Sequence, residues 1–384
     1  MLSSFERSLL SPNFRLGKGK KLFQEQERLV IKHAFFSSAT QRDIIDQTKI
    51  PQQTISRIVK SLLERKVLQQ ISRESDGSRG QPGYFLECYP DYAYCVGIAI
   101  LTDSISISIM DFKGSVVFSG QLNLANMSVK NVMTHLRALF DDAINKSNIS
   151  AAKILGIGVA ISGYFIDNQN KINTHNMLNE WAEIDIAKLI SNEYHYPVWV
   201  ENDATAAAAG EGIVGIGKQT SNFVYLFIST GFGGGIIING DVMRGTHGNA
   251  GEVGDMIPPK LFVHPNLENL RQILINNDVN IKTICELLES FDINWPGNAE
   301  WVYKVKDAVS LVASSSAALL DIQAIVIGGH IPKELAKLLI QDIQIYAQHR
   351  RSSSRPVPEI LLSQTDFEPV AVGAASIPFR ALCL

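Results

Sequence analysis

The chain has 384 residues and a mass of 42.3 kDa, which is too long for one ordinary domain and suits two or three. Its 46% hydrophobic and 19% charged residues exclude a wholly disordered chain, and no apolar run reaches the length of a membrane span. Four scattered cysteines without CxxC spacing, and an N-terminus without the apolar core of a secretion signal, predict a cytoplasmic protein with reduced thiols.

The charge is unevenly distributed along the chain. Residues 1–90 contain 15 Lys+Arg against 9 Asp+Glu, a net charge of +6, whereas the remainder carries −9. A small basic segment joined to a larger acidic one indicates a polyanion partner, such as nucleic acid, at one end only. The alternative is chance, because +6 over ninety residues is not extreme.

The first ninety residues are predicted to form a winged helix. Hydrophobic periodicity and capping signals indicate helices over 22–36, 41–47 and 51–65, with Thr40 as the cap of the second. Two strands, 67–71 and 84–86, flank a polar glycine-rich loop suited to a wing. The start of the third helix can reach base edges in the major groove, and a wing arginine can enter the minor groove, although both segments also suit plain solvated surface. The candidate DNA contacts are Gln52, Gln53, Thr54, Arg57, Lys60 and Arg79.

From residue 93 onwards the pattern changes to alternating strands and helices, which predicts an α/β fold. Strands are expected over 94–100, 104–111, 115–120, 154–160, 198–201 and from 224, with a helix over 129–147 and an alanine-rich helix after 201. The section at 224–238 repeats features of the first β section. We therefore expect two similar lobes with a ligand-binding cleft between them.

Residues 201–211, 229–240 and 244–255, in this order, resemble motifs of the ROK family of sugar kinases and sugar-responsive repressors. The resemblance spans about residues 22–380, and the N-terminal winged helix makes the chain similar to the repressor branch of NagC, Mlc and XylR types. It implies a winged helix-turn-helix domain at 1–88, followed by two actin-like, ribonuclease-H-like α/β lobes at 89–200 and 201–384. The C-terminal helix either stays with the second lobe or returns to the first.

The resemblance also implies where a kinase of this family would hold phosphate. Such a kinase needs Asp-x-Gly-Gly-Thr after its first strand, but Ala99 stands at the carboxylate position, and Leu101 and Thr102 stand at the glycine positions of the segment that ends at Asp103. Side chains there obstruct a close approach of phosphate. A second glycine-rich turn, 230–235, is retained, although such turns also serve packing. We predict no catalytic residue, no cofactor and no efficient phosphoryl transfer.

The sugar side of the family pattern is better retained. The resemblance implies sugar contacts at Asn202, Asp203 and Glu252, although Asp203 is also suited to cap the helix that follows it. Asp255 is a further candidate sugar contact. It stands where the family has a histidine, and no cysteine follows, so we predict no structural zinc. Glu268 matches a sugar-binding glutamate. Gly163 and Asn176 are supplementary candidates, and Trp181 suits either a pocket wall or a core.

These features predict a cytoplasmic transcriptional regulator, a repressor of genes for sugar uptake or catabolism. Its expected partners are operator DNA, a sugar or sugar-phosphate effector bound between the lobes, and further copies of itself in a homodimer or homotetramer. Two alternatives stay open, namely a ROK-type sugar kinase with an attached DNA-binding domain and a regulator controlled by a protein partner.

Overall fold

The computed structural model describes residues 21–72, 84–167, 171–346 and 355–384, and the chain divides into two compact units. The first unit runs to Gly163, resumes for the segment that ends at Glu201, and takes in Ala371–Leu384. The second unit consists of a short segment from Tyr164 and of Asn202–Val370. Within these described ranges, no helix is both long and apolar enough to span a bilayer.

The first unit opens with the head, by which we mean residues 22–72 and 84–88. Its elements are α1 (Glu25–Ser37), α2 (Gln41–Thr48), α3 (Gln52–Glu64), β1 (Leu68–Ile71) and β2 (Phe85–Cys88). The two strands are antiparallel. Three helices followed by this strand pair have the order that the hydrophobic pattern predicts for a winged helix-turn-helix.

Local signals set where the helices of the head begin. The Thr40 hydroxyl accepts a hydrogen bond from the Asp43 amide at 3.2 Å, and the Asp43 carboxylate accepts one from the Thr40 amide at 2.9 Å, so the predicted cap of α2 is confirmed. Pro51 occupies the cap position of α3, immediately before the helix. The predicted core face of α3 is buried at Ile55, Ile58, Val59 and Leu62, whereas Leu63 is only partly buried.

The rest of the first unit is built on a five-stranded sheet with the order β5-β4-β3-β6-β9. β3 pairs antiparallel with β4 and parallel with β6. The strands of this sheet are β3 (Tyr94–Ile100), β4 (Ser104–Asp111), β5 (Val116–Asn123), β6 (Ile154–Ile161) and β9 (Val198–Asn202). A separate two-stranded sheet consists of β7 (Gly163–Asp167), of which only Gly163 belongs to the first unit, and β8 (Lys171–Thr174). The accompanying helices are α4 (Val129–Ser147), α5 (Ile186–Tyr194) and the C-terminal helix α11 (Pro369–Leu382).

The second unit repeats this arrangement with the sheet order β12-β11-β10-β13-β14. β10 is again antiparallel to the strand after it and parallel to a strand that follows a helix. The strands are β10 (Phe223–Ile228), β11 (Phe232–Ile238), β12 (Asp241–Val242), β13 (Ala324–Gly329) and β14 (Glu359–Leu362). The helices are α6 (Asp203–Val214), α7 (Leu267–Asn276), α8 (Ile284–Glu289), α9 (Asn298–Leu320) and α10 (Lys333–Asp342). The shared strand order confirms the prediction of two similar α/β lobes.

The glycine-rich segment predicted as a turn over 230–235 is mostly strand. β11 begins at Phe232, so Gly233, Gly234 and Gly235 lie within it. A Cβ added at Gly235 would lie 2.4 Å from the Cβ of Ala208. Glycine is needed there because α6 packs directly on the strand, and this packing role explains why glycines extend beyond the turn.

Candidate functional site

Helix α3, the recognition helix, has a polar face that is open to solvent. Gln52, Gln53, Arg57 and Lys60 are exposed on it, and Thr54 is half-buried. The buried face of the same helix fixes this orientation, because Ile55 and Val59 lie in the core of the head. These five candidate DNA contacts therefore share one helix whose surface carries amides and cations. Arg79 lies outside the described residues.

The recognition helix also forms a side-chain hydrogen bond with α2, the helix before it. The Gln41 side-chain amide, in the first turn of α2, donates a hydrogen bond to the Ser56 hydroxyl at 2.5 Å. This hydrogen bond adds a polar contact to the apolar packing of α2 and α3 and helps to set the angle between the two helices. In helix-turn-helix proteins this angle determines which residues of the second helix face a groove of DNA.

The segment after β9 places two candidate sugar contacts at the start of α6. Asn202 is the cap, because its side-chain oxygen accepts a hydrogen bond from the Thr205 amide at 3.0 Å. The expectation that Asp203 caps this helix is therefore wrong by one residue. Asp203 is the first helical residue, and its carboxylate accepts from the Ala204 amide at 2.9 Å. A carboxylate in the first turn of a helix interacts favourably with the helix dipole.

Asp203, Glu252 and Asp255 form a group of carboxylates in the second unit. The pKa of Glu252 is raised from 4.5 to about 7, because nearby protein displaces water from it and because Asp203 and Asp255 add negative charge around it. Glu252 precedes the short 3₁₀ segment Val253–Met256, which carries Asp255. Clustered acceptors of this kind suit ligands that offer several hydroxyl donors.

The raised pKa of Glu252 predicts a specific effect of pH on stability. The folded protein holds this proton more tightly than the unfolded chain, so folding stability falls as pH rises from about 4.5 to about 7. Glu252→Gln removes this loss. Because the side chain is exposed, we expect the variant to gain only on the order of 1 kcal/mol at pH 8, and little at pH 5.

Thermal melts at both pH values measure this difference. Glu334→Gln, at another exposed glutamate of the second unit, is the matched control. Equal gains for Glu252→Gln at pH 5 and pH 8 would contradict the raised pKa of Glu252.

Gly163, Asn176 and Trp181 belong to the first unit. Gly163 has φ +148°, and a Cβ there would lie 2.3 Å from the Asn173 carbonyl oxygen, so the β7–β8 pair itself requires glycine. Asn176 is exposed at the start of a 3₁₀ segment, Asn176–Trp181. Trp181 is completely buried and donates from its ring nitrogen to the Met127 carbonyl at 2.8 Å, which places it in the core.

Glu268 is committed to an ion pair. It lies in the first turn of α7, and both of its carboxylate oxygens accept hydrogen bonds from Arg271, at 2.5 and 3.0 Å. A sugar would have to share this glutamate with the guanidinium. Across the described ranges, no group of three or more His, Cys, Asp or Glu side chains is arranged to hold a metal ion.

The segment that we predicted to correspond to the kinase phosphate loop is a tight turn between β3 and β4. Ala99 is completely buried in β3, and Leu101 and Thr102 are each 7% exposed. The Leu101 amide donates to the Ser104 carbonyl at 2.9 Å and closes the turn. An amide that is used to close a turn is not available to a phosphate oxygen.

A polar chain in the second unit was not predicted from the sequence. The Ser229 hydroxyl lies 2.8 Å from Nδ1 of His330, and Nε2 of His330 lies 3.1 Å from the Glu368 carboxylate. The three residues come from the end of β10, the end of β13 and the start of α11. The parallel pairing of β10 with β13 brings Ser229 beside His330, and neither this pairing nor the position of Glu368 is signalled by the local sequence.

Two sheets share one strand order, and carboxylates lie at the start of the alanine-rich helix α6 and in the segment at 252–255. These features define a class of α/β protein with two similar lobes. Residues 95–269 match the model of the ROK family, and this segment of the chain is a ROK family domain. The xylose repressor of Bacillus subtilis is 29% identical over 231 residues, which are 60% of this chain and 59% of the repressor. The protein y4fQ of Sinorhizobium fredii is 26% identical over 332 residues, or 85% of this chain and 83% of its own.

Solved structures share this fold. A ROK family transcriptional regulator, described as a homologue of the Escherichia coli MLC protein, superposes with a TM-score of 0.63 at 19% identity, covering 93% of this chain and 95% of its own. The ROK hexokinase of Thermus thermophilus gives a TM-score of 0.57 at 22% identity, covering 75% of this chain and 98% of its own. The hexokinase therefore has no counterpart for about a quarter of this chain, whereas the regulator covers nearly all of it.

Proposed function

We propose that this protein is a transcriptional repressor that binds operator DNA through its head and a sugar or sugar phosphate through the carboxylates of its second unit. The observation that carries the proposal is the recognition helix, whose solvent face holds Gln52, Gln53 and Arg57 above a fully apolar buried face. The similarity to xylose repressors supports it. The repressor acts in the cytoplasm as a symmetric dimer on a two-fold symmetric operator.

The chemistry of the recognition helix suits a major groove. A glutamine amide can bond to both adenine groups exposed there, and an arginine can bond to guanine or to phosphate. Arg57 and Lys60 lie one turn along the helix and add the positive charge that a phosphate backbone favours. Arg79 would reach the DNA from the wing. The basic charge of residues 1–90 supports the same partner.

The effector chemistry follows from the carboxylates. Asn202, Asp203 and Glu252, with Asp255 beside them, supply the acceptors that vicinal hydroxyls need, and Gly163, Asn176 and Glu268 complete the proposed sugar contacts. Similarity to xylose repressors makes D-xylose the first sugar to test. We further propose that the protein is no enzyme, because buried Leu101 and Thr102 stand where a kinase of this family has glycines.

The test of this function is a DNA-binding titration with purified full-length protein. The protein should bind duplex DNA from upstream of its own gene more tightly than a random duplex, with an affinity that falls steeply as salt rises. Arg57→Ala should weaken specific binding by about tenfold or more, because each such contact contributes about 1–3 kcal/mol. Lys260→Ala, at an exposed lysine of the second unit, should leave binding unchanged.

Addition of sugars to the preformed complex tests the effector. D-xylose, followed by a panel of hexoses and sugar phosphates, should release the DNA and raise the melting temperature of the free protein. If no sugar in the panel releases the DNA or raises the melting temperature, and DNA binding is intact, control by a protein partner is favoured. Sugar-dependent turnover of ATP in a coupled assay would favour the kinase instead.

A further inference from the structure

The C-terminal end of helix α11 contacts the head. Phe379 of this helix is completely buried, with its ring centroid 6.4 Å from that of Phe35 in α1 and 5.7 Å from that of Phe112. The Arg28 guanidinium in α1 donates a hydrogen bond to the Arg380 carbonyl at 3.2 Å. The first helix of the head is therefore packed against α11 by both apolar and polar contacts.

The same contact surface reaches the end of the recognition helix. Phe23 and Phe112 lie 6.5 Å apart between ring centroids, and the Arg65 guanidinium lies 5.3 Å above the Phe23 ring. Arg65 is the residue that ends the recognition helix, and it also forms an ion pair with Glu27 of α1. We call Phe23, Phe35, Phe112 and Phe379 the aromatic junction. Through it, a shift of α11 would be passed to the recognition helix, since close-packed side chains transmit displacement.

The other end of α11 is held by the polar chain of the second unit. Glu368 precedes the helix, and its carboxylate accepts a hydrogen bond from the Val370 amide at 3.2 Å and contacts His330 at 3.1 Å. His330 in turn bonds to Ser229, whose carbonyl accepts from the Leu267 amide at the start of α7. The start of α11 is thus tied to the turn after β10 and to the helix that carries Glu268.

We propose that α11 is the link through which the second unit controls the head, with His330 and Glu368 as positioning residues that set where the helix starts. The helix has fourteen residues and spans about 21 Å. Pro378 removes one of its internal hydrogen bonds, but the helix runs without interruption from the polar chain to Phe379, so a movement at its start is carried along it. The proposal rests on the proposed function only in naming the sugar-binding residues of the second unit as the source of that movement.

Amide hydrogen exchange of the full-length protein, without DNA or sugar, tests the link directly. In His330→Gln, exchange should be at least fivefold faster in 370–382 and also in 25–37 of the head, while 298–320 should be unchanged. Glu368→Gln keeps the size of the side chain and its acceptor for Val370, so its effect should be smaller and in the same segments. His264→Gln, in a loop of the second unit, is the matched control.

Unchanged exchange in 25–37 when 370–382 has loosened would overturn the link. A second measurement follows release of operator DNA by D-xylose, where His330→Gln should need at least fivefold more sugar than wild type. Equal sugar requirements in wild type and His330→Gln would also overturn it. If the wild type binds no operator at all, the proposed function fails, while the exchange result still decides whether the link exists.

Discussion

Glu211→Leu is expected to lower the free energy of unfolding by about 3–5 kcal/mol, because Glu211 is completely buried and is the acceptor for four donors. One oxygen accepts from the amides of Ile216 and Gln364, both at 2.9 Å. The other accepts from the hydroxyls of Ser363 and Thr365, at 2.6 and 2.8 Å. Leucine fills a similar volume and leaves the four donors without this acceptor, and the donors on Ile216 and Thr365 are buried.

Glu211→Gln separates the loss of hydrogen bonds from the loss of shape. The amide oxygen can keep the two backbone amides, and the two hydroxyls can rotate to accept from the amide nitrogen, so we expect a cost of only about 1 kcal/mol. Urea denaturation of both variants, followed by circular dichroism, gives the comparison. Similar losses for leucine and glutamine would contradict the assignment of the stability to these four hydrogen bonds.

Much of the fold could be predicted from the sequence, because β3 and β6 are continuous apolar segments and β4 alternates serine with isoleucine. β3 and β4 were predicted at their observed bounds, and α4 likewise, since turn or cap residues stand at both ends of each. The order of strands within each sheet could not be predicted in this way. It depends on which strands pair, and pairing is not encoded in local periodicity.

The candidate site was less predictable. Asn202 and Asp203 both suit a helix cap, and only the path of β9 into α6 makes Asn202 the cap. The ion pair between Glu268 and Arg271 was not predicted, although the two residues are three positions apart on one helix. The sugar and DNA contacts themselves remain predictions, since they concern ligands rather than the packing of this chain.

Two glycines of β3 and β6 let α11 pack directly on the backbone of the sheet, and the hydrophobic pattern did not predict this contact. Gly97 and Gly158 are direct neighbours across the parallel pair of strands. A Cβ at Gly97 would lie 1.9 Å from the Ala371 carbonyl oxygen, and one at Gly158 would lie 1.9 Å from that of Ala374. The helix therefore packs against the strand backbone itself. The short distance between helix and sheet is possible only because neither glycine has a side chain.

Gly158→Ala is accordingly expected to cost about 3 kcal/mol or more, since the added methyl group meets backbone that cannot rotate away. The helix must rise from the sheet by more than about 1 Å to restore contact distances. Ala374→Gly should not rescue the variant, because the collision is with the carbonyl oxygen and not with the methyl group. Thermal melts of the single and double variants measure both effects.

Gly231→Ala is the matched control, since nothing lies within 4 Å of a Cβ at that position. Because the displaced helix carries Phe379, Gly158→Ala should also weaken operator binding at temperatures where the protein is still folded, whereas Gly231→Ala should not. A Gly158→Ala protein with wild-type stability would mean that α11 can move away from the sheet at no cost. The helix would then be too loosely held to pass any movement to the head.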